Sequence, residues 1–153
     1  MKSSKSVFVE IVSALYIMLF LYASITKLRF YDQSIQQMDM QPFPNQLSAL
    51  ILWSISIIEL VVAIGLLFSK TRKVALLIGV GLMILFTGYI STVMLHVYAH
   101  VPCSCGGVIS ELSWGQHLLL NLFYVVMGIA ALLNTNRLRQ GAAFYAPNKF
   151  QHS

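Results

Sequence analysis

Four long apolar runs, parted by shorter polar or basic stretches, set the pattern of this chain. They cover residues 7–26, 47–68, 74–97 and 117–133. Crossing ~30 Å of hydrocarbon takes about 20 helical residues, and each run approaches or exceeds that length. The fourth is the shortest and gains a turn or more from its approach through Leu112–Gln116. The runs are continuous rather than alternating, which argues against strands. Only helices and closed barrels pair every backbone group in lipid. The pattern therefore predicts an all-α integral membrane protein, a single membrane domain over 1–153 built as a bundle of four transmembrane helices. Residues 28–46, with Pro42 and Pro44, read as a surface connection with a short helical start, and 134–153 as a polar tail. The first run exceeds the ~7–15 residues of a signal-peptide core. Tyr22 stands where a small residue would be needed before Ser24, so this run is expected to remain as a helix.

Composition agrees: 58% of the 153 residues are hydrophobic and 10% charged. An average soluble domain has roughly 45–50% and about 25%, and a small soluble domain cannot hide so much apolar surface. The formal charge of +5 does not point to nucleic acid, because the basic residues form no stripe; they fall in short groups between the spans. Lys2 and Lys5 precede the first span, Lys70, Arg72 and Lys73 lie between the second and third, and Arg137, Arg139 and Lys149 follow the fourth. Only Lys27 and Arg29 lie on the other side. The positive-inside rule then predicts cytoplasmic amino and carboxyl termini. The loop between the third and fourth spans is expected to face outward, where thiols can be oxidised.

That loop carries both cysteines, in Val101-Pro102-Cys103-Ser104-Cys105-Gly106-Gly107. Pro102 ends the preceding helix, and the two glycines permit backbone angles that other residues avoid. A disulfide between Cys103 and Cys105 closes a very small ring, away from relaxed geometry. Strained disulfides are easier to reduce, and so small a ring returns little as a staple. Such a pair suits exchange, with Cys105 the expected nucleophile because the glycines beside it leave it more open. His96 and His100 are spaced i,i+4 at the end of the third span; Trp114, His117 and Asn121 share a face of the fourth. Two chemistries fit this set. An imidazolium beside a cysteine raises its thiolate fraction, as exchange needs. Alternatively Cys103, Cys105, His96, His100 and His117 form a zinc or copper ligand set, although a one-residue spacing is tight against the usual two to four.

Two charges lie at depth. Glu59 is near the middle of the second span, where an ionisable group is costly unless paired and by default marks function. Lys27, at the end of the first span, is its expected partner, though helix ends place the two at different depths. The alternatives are a lysine that snorkels to the headgroups and a protonated glutamate bonded to Ser or Thr. Ser24, Gly65, Gly79, Gly81 and Gly88 read as close-packing positions between helices.

Taken together, Pro102-Cys103-Ser104-Cys105-Gly106-Gly107, then Leu112-Ser113-Trp114, His117 and Asn121, resemble the redox-associated membrane proteins of the MauE and DoxX group. Lys27 and Glu59 match the broader DoxX-like pattern, and the similarity covers all four spans. The resemblance implies a four-helix bundle engaged in periplasmic thiol or sulfur redox chemistry. MauE-type members are associated with maturing a disulfide-rich partner, and DoxX-related members with quinone-linked sulfur oxidation. It thus implies an oxidoreductase in which Cys103, Cys105 and His117 carry the exchange. His96, Trp114, Asn121, Glu59 and Lys27 would surround a quinone. The expected partners are the bilayer, a periplasmic thiol or disulfide protein, and a second copy of the chain. The competing expectation is a non-enzymatic accessory subunit of a larger membrane complex, or a metal-binding module.

Overall fold

The structure is a computed structural model that describes residues 4–39, 44–95 and 114–144. Among them there is no strand. The helices are α1 (Ser4–Arg29), α2 (Tyr31–Asp39), α3 (Ser48–Leu67), α4 (Arg72–Met94) and α5 (Trp114–Phe144). All but α2 are long and apolar enough to cross a bilayer, as the four apolar runs predict.

Two of the links between helices show how backbone groups find partners at the turns. Only Phe30 separates α1 from α2, and the ladder continues across it: its N–H donates to the Thr26 carbonyl (3.0 Å), and the Ser34 N–H donates to its carbonyl (2.9 Å). Helix α2 is the short helical start expected of the 28–46 connection. It buries Ser34 and Met38, and Ser34 Oγ donates to the Lys27 carbonyl (3.3 Å). A 3₁₀ turn, Asn45–Leu47, leads into α3. At the other end of α3, Phe68 is extended. Thr71 Oγ1 reaches back to the Gly65 carbonyl (2.7 Å) and Arg72 Nε to that of Leu66 (3.4 Å). The start of α4 thereby caps the last carbonyls of α3, which a helix leaves open.

Helix α1 packs on α3, α3 on α4, α4 on α5 and α5 on α1, with little contact between α1 and α4. This closes a ring of four in which consecutive spans run in opposite directions. One end of the bundle, the turn end, holds the start of α1, the α3–α4 turn and the finish of α5. The loop end holds the α1–α3 connection and the two helix ends, Met94 and Trp114, that flank residues 95–113.

The apolar core sits towards the turn end. It comprises Val9, Val12, Tyr16 and Phe20 of α1, Val62, Ala63 and Leu66 of α3, Ala75, Leu76, Val80 and Met83 of α4, and Ala131 of α5. Tyr16 is its pivot. The ring meets Phe20 and Tyr124 edge-on, at 5.7 and 5.4 Å between centroids. Its hydroxyl donates to the Tyr124 carbonyl (2.7 Å), an arrangement that lets a tyrosine stay dry.

Small residues admit these contacts, though not all of those expected. A Cβ on Gly65 would stand 3.0 Å from that of Ala75, and one on Gly79 3.1 Å from the Phe20 ring. At Gly81 and Gly88 a Cβ would meet nothing within 4 Å, so these two are not packing positions. Gly128 is the tightest site: a Cβ there would overlap the Tyr16 hydroxyl and Val80 Cγ2. Outward, the spans present large exposed apolar side chains such as Met18, Ile25, Leu50, Val61, Leu77, Leu85, Leu119 and Val126, as lipid contact requires.

Candidate functional site: a polar interior at the loop end

The buried stripe of α3 runs Ser48, Leu52, Ser56, Glu59, Val62, Ala63, Leu66. Its polar members, Ser48, Ser56 and Glu59, lie towards the loop end with Leu52 among them, and beyond Glu59 it is apolar. Helix α1 changes character in the opposite sequence order, from Val12, Tyr16 and Phe20 to Ser24 and Lys27. Because the two helices are antiparallel, their polar ends meet. Helix α5 adds His117 and Asn121, one turn apart and buried (3% and 5% exposed), close to its start at the same end. Most of the buried polar residues therefore lie in the half of the bundle towards residues 95–113, where Leu52 and Ile90 are buried with them, and the apolar core lies towards the turn end, with Ser13 the buried polar residue there.

At the floor of the polar half lies an ion pair. Lys27 Nζ donates to Glu59 Oε1 at 2.5 Å, with the two residues 5% and 1% exposed. Ser24 Oγ lies 2.9 Å from Glu59 Oε2, to which it donates, and 3.3 Å from the Ser56 carbonyl oxygen. The Lys27 ammonium is 5.9 Å from the centroid of the Phe86 ring of α4, within cation–π range. Lys27 thus does not snorkel: its stem turns into the bundle, and the depth difference suggested by helix ends is bridged by its length. Glu59 engages both a lysine and a serine, each foreseen separately. An ion pair so buried is a costly way to join two helices, since apolar residues of similar volume often serve as well or better. That cost makes the pair a candidate functional feature. Ser48 and Ser56 are each 1% exposed, and neither hydroxyl has a hydrogen-bond partner within the protein. Sequence reasoning missed both, although their spacing with Glu59 at helical period was a usable signal.

Of the expected site residues, Lys27, Glu59, His117 and Asn121 are brought to the same half of the bundle. Cys103, Cys105, His96 and His100 lie outside the described residues, and Trp114 opens α5 with its side chain likewise outside them. Among the described residues no group of three or more His, Cys, Asp or Glu could hold a metal ion. Trp53 is not part of the interior; it is 47% exposed and packs against the Tyr31 ring of α2 at 6.3 Å.

A family model described as methylamine utilisation protein MauE matches residues 5–134, which takes in all four spans and the 95–113 connection. No curated protein and no solved structure matches the chain.

Proposed function

Because the chain belongs to the MauE family, we propose that this multi-pass membrane protein is a thiol–disulfide redox protein of a bacterial inner membrane. Its termini are cytoplasmic and the 95–113 connection faces the periplasm. The Cys103–Cys105 pair exchanges with cysteines of a periplasmic partner. A thiolate of one protein attacks the disulfide of the other, the mixed disulfide is resolved by the second thiol, and two electrons pass between the proteins. Cys105 is the sulfur that forms the mixed disulfide with the partner and Cys103 the one that closes the pair again, with His117 and His96 favouring the thiolate. The observation that carries the reading is the division of the interior: buried polar groups are concentrated at the end from which the cysteine-bearing connection departs.

The same groups suit a quinone as electron carrier. The ammonium of Lys27 has three donors and Glu59 takes one. Ser56 adds a buried hydroxyl without a partner, and His117 and Asn121 lie in the same half. A quinone, when bound, supplies a two-electron acceptor in the lipid phase; Lys27, Ser56 and His117 would hold its carbonyl oxygens, and Trp114 would wall the ring.

The test is turnover of a periplasmic dithiol partner by wild type and by Cys103→Ser/Cys105→Ser. The double variant is expected to fold and insert normally and to leave the partner unoxidised. Unchanged oxidation of the partner would remove the cysteines from the account. About one equivalent of zinc or copper in the purified protein, lost in Cys103→Ser or His117→Ala, would instead establish the metal-binding accessory module.

A further inference from the structure

A hydroxyl inside a transmembrane helix has a local partner within reach, the carbonyl four residues back in its own helix. This chain uses that bond repeatedly. Ser13 donates to Val9, Thr26 to Tyr22, Ser54 to Leu50, Thr87 to Met83, Ser91 to Thr87 and Thr135 to Ala131, at 2.6–2.9 Å. Ser56 departs from the habit. It is 1% exposed, and its hydroxyl has no hydrogen-bond partner among the described residues, the Leu52 carbonyl one turn back included. It lies on the buried stripe of α3, one turn from Glu59 on the loop-end side.

The place it adjoins has donors to spare. The Lys27 ammonium carries three, of which one goes to Glu59 Oε1, with the Phe86 ring 5.9 Å away. Ser24 ties the pair to Ser56: its Oγ lies 2.9 Å from Glu59 Oε2 and 3.3 Å from the Ser56 carbonyl oxygen. Buried polar groups are met in the great majority of cases, by protein or by ordered water. Charge limits what can meet these. Lys27 and Glu59 cancel, so an ion arriving beside them would be unbalanced in a low dielectric. The fitting occupant is small and neutral, with an oxygen that accepts from Lys27, pairs with Ser56 and donates to Glu59. Three partners is the usual complement, about three, of a buried water.

We propose that Lys27, Glu59 and Ser56 form a water-binding site that water enters from the loop end. Towards that end the buried residues include Ser48 on α3 and His117 and Asn121 on α5, with Leu52 between Ser48 and Ser56. On the other side Val62, Ala63 and Leu66 pack with Val12, Tyr16 and Phe20 and close the bundle. Water at this site keeps both members of the ion pair charged at depth. It also holds a place where an oxygen of a larger neutral ligand can take over the same hydrogen bonds. The site stands on the ion pair and Ser56, so it goes beyond the redox reading without depending on it.

The experiment uses the full chain in lipid nanodiscs, with Cys103→Ser/Cys105→Ser as the background for labelling by 2-aminoethyl methanethiosulfonate. The two controls are Ile57→Cys, at a position that faces lipid beside Ser56, and Ala63→Cys, in the apolar core. Ser56→Cys should react at least about a hundredfold faster than either, because only a hydrated thiol ionises and the thiolate is the form that reacts. Unfolding by dodecyl sulfate reads the same site in the native cysteine background. Ser56→Ala should raise the unfolding equilibrium constant about two- to tenfold over that of Ser54→Ala, the same change at an α3 hydroxyl that bonds to its own backbone. A hydroxyl that binds no water would be better removed, and Ser56→Ala would then be as stable as Ser54→Ala or more so. That result overturns the water site, as does a Ser56→Cys no more reactive than its two controls. Ser56→Ala keeps the test open where Ser56→Cys misfolds. Neither readout involves Cys103 or Cys105, so a failure here leaves the redox reading standing.

Discussion

Neutralising one partner of the Lys27–Glu59 pair should destabilise the bundle far more than neutralising both. At 2.5 Å and an effective dielectric constant of about 20, the gross attraction is about 6–7 kcal/mol. Burying the two charges costs several kcal/mol each, so the net worth of the pair is small. Removing one partner keeps the burial cost of the other and loses the attraction. Glu59→Gln and Lys27→Met should therefore each cost about 3–5 kcal/mol. The cost of a lone charge at the centre of a transmembrane helix, about 2.5–3.5 kcal/mol on insertion scales, points to the same range. Lys27→Met/Glu59→Gln should cost less than either single change, a coupling of at least about 3 kcal/mol on the limits of a double-mutant cycle. Reversible unfolding in mixed micelles of rising dodecyl sulfate content, followed by circular dichroism, measures all four proteins. Additive single effects, or single effects under about 0.5 kcal/mol, would show that Lys27 and Glu59 are solvated independently, and the reasoning would fail.

Gly128→Ala should cost about 2–4 kcal/mol in the same assay. It forces Tyr16 or Val80 aside, an overpacking cost of about 1–3 kcal/mol, and threatens the Tyr16–Tyr124 hydrogen bond, worth about 0.5–1.5 kcal/mol. Gly81→Ala and Gly88→Ala meet open space and should be neutral or stabilising by up to about 1 kcal/mol through helix propensity. Tyr16→Phe keeps the ring contacts and leaves the Tyr124 carbonyl short of one donor, so a loss of about 1 kcal/mol is expected; a neutral result would mean the hydroxyl is not bonded as the structure has it. Cys103→Ser/Cys105→Ser should unfold at the same detergent fraction as wild type, since a disulfide closing so small a ring would contribute little as a staple.

The architecture was legible because membranes enforce it. A continuous apolar run must become a helix to pair its own backbone, and four such runs make four spans. Where the helices stop was less legible, because apolarity and helicity end for different reasons. Helix α1 runs to Arg29 and α5 to Phe144, both past their apolar runs, since no proline or glycine interrupts Thr26–Arg29 or Asn134–Gln140. The deep charges announced themselves by being charges. Their pairing was blurred by depth counted along helix axes, which neglects the reach of a lysine side chain. Glycines were the least legible: Gly65 and Gly128 pack while Gly81 and Gly88 do not. Nothing in a single small residue says which way its helix face points. Ser48 and Ser56 lay unnoticed because serine is common at polar surfaces; only their register with Glu59, on a stripe that proves to be buried, gives them meaning. The cysteine chemistry rests on the sequence and the family, with the polar half of the bundle as its structural support.

The most direct measurement of the central claim is the redox state of Cys103 and Cys105 in intact cells, read as a gel shift with a membrane-impermeant maleimide before and after reduction. The account predicts no labelling at first and two labels per chain after reduction, the mark of a disulfide on the periplasmic face. Two thiols that label at once, or that become reactive only when a chelator is added, would contradict it.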